Sequence, residues 1–168
     1  STWIDTRGLP LWKADSWPHW RDVMDTVKPV QEARRLHPFL VEDAAQWGLD
    51  NQGIIWYSMV ELGAWIAELS GLPVHTGGAK AEQKLIRELE TGGDRSIIAS
   101  TKAHGRGRDR LQHKFHRQYV INTMSSNRLW EQLLGRTHRT GQRASKVTTE
   151  LCLHTPELLK SFEQALRR

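Results

Sequence analysis

Two arginines three residues apart, Arg136 and Arg139, follow a glutamine, Gln132, in the stretch from Trp130 to Gln142. A guanidinium carries a planar fork of N–H donors that matches a pair of phosphate oxygens, so arginines at this spacing suit phosphate chemistry. At about 100° per residue, a continuous helix places Gln132, Arg136 and Arg139 on one narrow face. Trp130, Leu133 and Leu134 then fall on the opposite face. The spacing predicts one short helix that buries an apolar side, presents two guanidiniums and an amide in a row, and ends at a C-cap glycine, Gly141. The plain alternative is a surface helix with solvated arginines.

A second candidate is Ser100-Thr-Lys-Ala-His-Gly-Arg-Gly-Arg-Asp-Arg110. Its glycines permit close backbone approach to a ligand. Its four cations and the Thr101 hydroxyl suit phosphate oxygens. The segment reads as an anion-binding loop, or otherwise as a flexible Gly/Arg loop. Charge distribution favours the first reading. Residues 100–146 hold eleven Lys and Arg against two Asp and Glu, an excess of nine, whereas the whole chain has a net charge of +5. Positive charge concentrated in one segment is the footprint of a phosphate-binding surface.

The elements that must hold these residues alternate between strand and helix. Gly53–Ser58, Leu72–His75, Ser96–Ser100 and Gln118–Asn122 are short apolar runs bounded by turn signals, hence buried strands. Val147, Thr149, Leu151 and Leu153 alternate with polar residues, which predicts a strand with one exposed face. Leu62, Trp65, Ile66 and Leu69 sit at helical spacing before Gly71. Ala79–Thr91 reads as a helix with Leu85, Ile86 and Leu89 inward. Thr155-Pro156-Glu157 is a helix start with a threonine cap, followed by an apolar stripe from Leu158 to Leu166. Upstream, Pro29–His37 (Val30, Ala33, Leu36) and a stretch from Pro38 to Gly48 (Leu40, Ala44, Trp47) read as two helices. This alternation predicts an α/β fold: a mostly parallel sheet with helices on both faces, preceded by a helical or linker extension. Ligands of such sheets bind outside the carboxyl ends of the strands. The loops there are Ser58–Val60, Thr76–Gly78, Ser100–Arg110 and Thr123–Asn127.

The remaining composition bounds the reading. With 168 residues, 38% hydrophobic and 26% charged, the chain fits one globular domain of ordinary size. No run of about 18 apolar residues predicts a membrane span, and no basic-then-apolar leader is visible. An intracellular setting is expected, cytoplasmic or nuclear. The single cysteine, Cys152, excludes an internal disulfide and a multi-cysteine zinc site, and is expected as a buried inert thiol. His104 and His138 have no metal-ligand partner at a useful spacing, so no metal site is expected. His75 reads as a strand-end histidine. Trp3, Trp12, Trp17 and Trp20 crowd the irregular first 27 residues, either packing a linker onto a neighbouring surface or forming a stacking platform for bases.

The segment Gln132-Leu-Leu-Gly-Arg-Thr-His-Arg-Thr-Gly-Gln142 resembles motif VI of superfamily 2 helicases and translocases, most closely in its Swi/Snf-type form. Ser100-Thr101 resembles the start of motif V in that form. Thr101, Arg106, Gly107 and Asp109 match the T-x-x-x-x-R-G-x-D spacing of the DEAD-box form, although Arg108 and Arg110 stand where apolar residues are more usual. Gly53–Ser58 and the following helix look like motif IV, and His75-Thr-Gly-Gly78 like the short H-x-G element after it.

The resemblance implies the second RecA-like lobe of an ATP-dependent nucleic-acid motor. It covers residues 52–168, with residues 1–51 as a linker and helical extension from a first lobe. It implies Arg139 as the arginine finger, Arg136 as its partner on the γ-phosphate, and Gln132 orienting the nucleotide. Gly107 and Asp109 would join both arginines at ATP. Ser58, Gly77, Gly78, Ser100, Thr101, Lys102 and Arg106 would follow one strand's phosphates. No G-x-x-x-x-G-K-[ST] loop and no D-E-x-[DH] run occurs, Glu42-Asp43 being in the wrong order. ATP and Mg2+ would therefore be held mainly by the first lobe, and this chain alone would not hydrolyse ATP. The expected partners are DNA in preference to RNA and that first lobe, with the fragment itself a monomer. The alternatives are a lobe of a DEAD-box-like RNA helicase and a non-catalytic basic nucleic-acid-binding module.

Overall fold

A computed structural model of the chain describes Thr26, residues 34–105 and residues 110–167. The chain divides into two compact units, Ser1–Arg34 and Arg35–Arg168; the description below concerns the second. The tryptophans at 3, 12, 17 and 20, together with Arg106, Gly107 and Asp109, lie outside the described residues.

The elements run α1 (Phe39–Asp50), β1 (Ile54–Tyr57), α2 (Val60–Ser70), β2 (Val74–His75), α3 (Ala81–Thr91), β3 (Ile97–Ser100), α4 (Thr101–His104), α5 (Leu111–Lys114), β4 (Arg117–Val120), α6 (Asn127–Leu134), β5 (Thr148–Leu151) and α7 (Pro156–Leu166). The strands form one sheet in the order β2-β3-β1-β4-β5. Every neighbouring pair is parallel.

Strand periodicity sorts the core into two layers, because successive side chains point to opposite faces. Ile55 and Tyr57 of β1 join Ile98, Tyr119 and Ile121 in one cluster, covered by Val41, Ala44, Ala45 and Trp47 of α1 and by Ile66 of α2. Ile54 and Trp56 join Ile97, Ala99 and Val120 in the other, covered by Leu85 of α3, Leu111 and Phe115 around α5, and Trp130 and Leu133 of α6. Burying each large apolar side chain contributes about 1.5–3 kcal/mol. The connection from β1 to β2 steps one way along the sheet, and its helix lies on the first face. The connections from β2 to β3, β3 to β4 and β4 to β5 step the other way, with helices on the second face. Right-handed crossovers require this division.

Several local expectations are borne out. Gly71 ends α2 in the left-handed conformation at φ 70°, with its N–H bonded to the Ala67 carbonyl. Thr155 caps α7 by accepting the Leu158 N–H at 3.3 Å. Two expectations are corrected. Residues 34–38 are irregular, and Leu36 is 90% exposed; Pro38 disfavours helical backbone at the residue before it. Arg35 instead pins this stretch to α2, donating to Glu61 at 2.7 Å and Glu68 at 2.9 Å and lying over the Trp65 ring. β5 has no fully exposed face, because every residue from Thr148 to Leu151 is half-buried. It is an edge strand paired only with β4, and helices pack against both faces of the sheet.

Candidate nucleic-acid and nucleotide interface

The chain path selects one crevice at the carboxyl rim. β1 leads to a helix on the first face, whereas its neighbours β3 and β4 lead to helices on the second. The ends of β1 therefore lie at topological switch points, where open α/β sheets bind ligands. Three backbone and side-chain contacts tie the loops of this rim together. Thr101 Oγ1 donates to the Tyr57 carbonyl at 3.2 Å. The Ser58 N–H donates to Asn122 Oδ1 at 3.3 Å. His104 Nε2 lies 3.1 Å from the Thr76 carbonyl.

The order β2-β3-β1 sets the rim residues in a row. Gly77 and Gly78 follow β2, Ser100 and Thr101 end β3 and open α4, and Ser58 follows β1. A Cβ on Gly77 would lie 3.5 Å from the Cβ of Ala103, so the glycine loop and α4 share one surface. Gly78 adopts φ 120°, a conformation L side chains rarely reach. Lys102 is exposed beside them, while Ser100 is buried. Val74, His75, Lys80, Lys84 and the glycine loop line a cleft of about 160 Å³. His75 is 7% exposed, and its Nε2 has no hydrogen-bond partner. Burial, with His104 close by, holds its pKa down to about 4. It is thus a neutral strand-end residue at physiological pH.

The arginine segment departs from the sequence expectation. α6 ends at Leu134, and its cap is Gly135 rather than Gly141. Glycine is a poor helix former. Beyond it the chain tightens, the Arg136 and Thr137 N–H groups reaching back three residues to the Leu133 and Leu134 carbonyls at 3.0 and 3.3 Å. Gln132 lies on the helix, Arg136 in the turn, and Arg139 beyond it, so the three do not share a helix face. Arg136 Nε nevertheless donates to the Gln132 carbonyl at 3.2 Å. The apolar side holds in part: Trp130 and Leu133 are buried, but Leu134 is exposed. Trp130 donates to the Met124 carbonyl at 2.7 Å and packs edge-on against Phe162.

The turn also lies away from the carboxyl rim. α6 carries the chain back toward the amino end of β4. There Gln142 Nε2 donates to the carbonyls of Phe115 at 2.8 Å and Thr137 at 3.0 Å. The Gln142 Oε1 accepts the Ala144 N–H at 2.9 Å. Gly141 adopts φ 93° against the His113 imidazole, whose Nδ1 lies 3.2 Å from the Gly141 carbonyl. An open cavity of about 490 Å³ is lined by His138, Arg139, Thr140, Gln142, Ala144, Ser145 and Val147. The structure therefore brings Ser58, Gly77, Gly78, Ser100, Thr101 and Lys102 together at the rim. It sets Arg136 and Arg139 apart on the flank beside α5. Sequence reasoning missed Asn122, His113 and the anchoring role of Gln142. Only Gln142 carried a signal, as the last residue of its motif.

Cys152 is fully buried, and burial pushes its thiol up to about 11. Among the described residues, no helix is long and apolar enough to cross a membrane.

A five-stranded parallel sheet with this path, helices on both faces and a glycine-bounded arginine turn is a RecA-like lobe. Solved structures share this fold. The C-terminal part of the Fun30 ATPase domain superposes with a TM-score of 0.58 at 15% identity, over 93% of this chain and 46% of that one. T4 UvsW gives 0.55 at 14%, over 77% and 31%. S. cerevisiae Dbp5 bound to RNA and ADP BeF3 gives 0.57 at 13%, over 88% and 47%. The chain shares its fold with these structures and spans less than half the length of each. No family model matches the chain, nor does any curated protein.

Proposed function

We propose that the chain is the second lobe of an ATP-dependent DNA translocase or helicase. One observation carries this reading: Ser58, Gly77, Gly78, Ser100, Thr101 and Lys102 line the rim of three adjacent strands, while Arg136 and Arg139 occupy a separate flank of the same lobe. That division suits a motor, which must hold a nucleic-acid backbone and a nucleotide at once. At the rim, backbone groups at Gly77 and Gly78 and the Lys102 ammonium serve strand phosphates, with Ser100 and Thr101 shaping the loop beneath them. Ser58 continues the row beyond β3, and Arg106 supplies a further cation.

On the flank, Arg139 borders a cavity large enough for phosphate groups, and Arg136 is braced against Gln132. Their guanidiniums fit a triphosphate presented by a facing lobe. Gly107 and Asp109 are further candidates for nucleotide contact, and Gln132 orients the nucleotide through the Arg136 turn. ATP with Mg2+, held mainly by the first lobe, supplies the free energy of phosphoryl transfer when bound. What this chain contributes is positive charge fixed in place before the reaction, which needs no reorganisation as charge develops. The Gly141-Gln142 ending of the arginine motif supports the DNA-translocase form over the DEAD-box form.

The test is Arg139→Ala in a chain that also carries the first lobe. Nucleic-acid-stimulated ATP turnover is expected to fall by on the order of 10³. Unchanged turnover would overturn the assignment of the finger. Stimulation by duplex DNA but not by RNA is expected; the reverse result supports an RNA helicase lobe.

A further inference from the structure

Away from both candidate surfaces, three different ligand-forming side chains converge where α1 meets the end of β5. Asp43 comes from α1, Cys152 directly follows β5, and His154 comes from the loop after it. One carboxylate oxygen, the Cys152 Sγ and one imidazole nitrogen all lie within 4.8 Å of one another. Asp43 Oδ2 and His154 Nε2 are 3.6 Å apart. The Phe39 ring packs edge-on against the His154 imidazole at 5.1 Å, which limits its rotation.

We propose that Asp43, Cys152 and His154 form a site for a zinc-like divalent cation, with water as the fourth ligand. The donor set is one thiolate sulfur, one imidazole nitrogen and one carboxylate oxygen. A borderline-soft ion that accepts all three in tetrahedral geometry is Zn2+, whereas Ca2+ and Mg2+ require oxygen ligands. With metal–sulfur bonds of about 2.3 Å and metal–nitrogen or –oxygen bonds of about 2.0 Å, tetrahedral ligands stand about 3.3–3.6 Å apart. The Asp43–His154 spacing already fits, and closure of the remaining edges by about 1 Å completes the set.

Tyr119 supports the site from behind. Its hydroxyl hydrogen-bonds Asp43 and lies 2.6 Å from Cys152 Sγ. The Tyr119 hydroxyl donates its proton to Asp43, so the thiol proton points to the Tyr119 oxygen. Metal binding replaces that thiol proton: a metal–sulfur bond forms, the S–H bond breaks heterolytically, and the proton leaves to solvent. No electron is transferred. Tyr119 goes on donating to Asp43, as an outer partner of a metal-bound carboxylate does. The side chains of Asp43 and His154 are 47% and 38% exposed, so the ion and its water reach the cluster from that side. The bound cation would clamp α1 to the carboxyl end of β5.

Cobalt(II) titration of the tag-free chain tests the proposal, because Cys152 is the only thiol present. One equivalent of Co2+ is expected to give a sulfur-to-cobalt charge-transfer band with tetrahedral d–d absorption, displaced by Zn2+. Cys152→Ser should abolish the band. Tyr119→Phe should weaken binding by about 10–100-fold. Should Cys152→Ser fail to fold, as judged by circular dichroism, His154→Ala and Asp43→Asn change exposed positions and should each weaken binding more than Tyr119→Phe does. Absence of a sulfur charge-transfer band in the wild-type chain overturns the proposal. So does a band whose affinity is unchanged in His154→Ala and Asp43→Asn.

Discussion

The Gln142 amide donates to the Phe115 carbonyl at 2.8 Å, tying the arginine turn to the residue that leads into β4. The same side chain holds the Thr137 carbonyl and the Ala144 N–H. Replacing it with an apolar residue leaves these half-buried backbone groups without partners. Gln142→Leu is expected to destabilise the fold by about 1–3 kcal/mol, measured by urea unfolding. An unchanged midpoint would show that water replaces the amide at no cost.

Gly63 faces the ring of Tyr57 at the end of β1. A Cβ there would stand 2.6 Å from Tyr57 Cε1 and Cζ. Alanine is favoured over glycine in a helix by about 1 kcal/mol. The Tyr57 ring is fully buried and has nowhere to retreat, and overpacking costs about 1–3 kcal/mol. The clash should win, so Gly63→Ala is expected to lower thermal stability. A raised melting temperature would show that α2 shifts freely. Because Thr101 hydrogen-bonds the Tyr57 carbonyl, the same substitution should also disturb the rim.

His75 makes stability depend on pH. Its pKa is about 4 in the fold and about 6.5 in the unfolded chain. The unfolded chain therefore binds the proton first as pH falls. The contribution of neutral His75 is complete above pH 6.5 and is lost progressively down to pH 4, about 3 kcal/mol in all. His75→Gln should flatten the stability profile across this window in chemical denaturation at a series of pH values. A profile as steep as that of the wild type would place the proton uptake elsewhere.

Lys102 lies exposed in the rim row. If it meets one phosphate, Lys102→Ala should weaken binding to all nucleic-acid sequences alike. The slope of log K against log salt should fall by about 0.7–0.9. Fluorescence anisotropy at several salt concentrations reads both quantities, and an unaltered slope removes Lys102 from the contact.

The sheet was legible because its strands are short apolar runs such as Ile54–Tyr57 and Ile97–Ser100, set off by Gly53, Ser58 and Ser96. Buried parallel strands demand such runs whatever surrounds them. The rim row followed from the same reading, since strand ends and topology place it. The arginine turn was harder. Helical spacing continues through Gln132, Arg136 and Arg139, but Gly135 interrupts the helix and buried Thr137 draws the chain inward. Contacts from His113 and Phe115, distant in sequence, then decide where the turn sits. The meeting of Asp43 with Cys152 and His154 was illegible for the same reason: it depends on how α1 lies across the sheet.

The start of α7 closes part of the rim. Thr123 donates to the Leu158 carbonyl at 2.7 Å, and Ser161 returns a bond to the Thr123 carbonyl. The rim beyond β4 is thereby filled with protein, which leaves the ends of β2, β3 and β1 as the stretch that carries the rim row. Neighbouring parallel strands lie about 4.8 Å apart, so this stretch measures about 10 Å. A backbone held at the duplex rise of about 3.4 Å per residue would lay roughly three phosphates along it. On the proposed reading, the footprint of the lobe on a nucleic-acid strand would thus be bounded by a C-terminal helix through its contacts with Thr123.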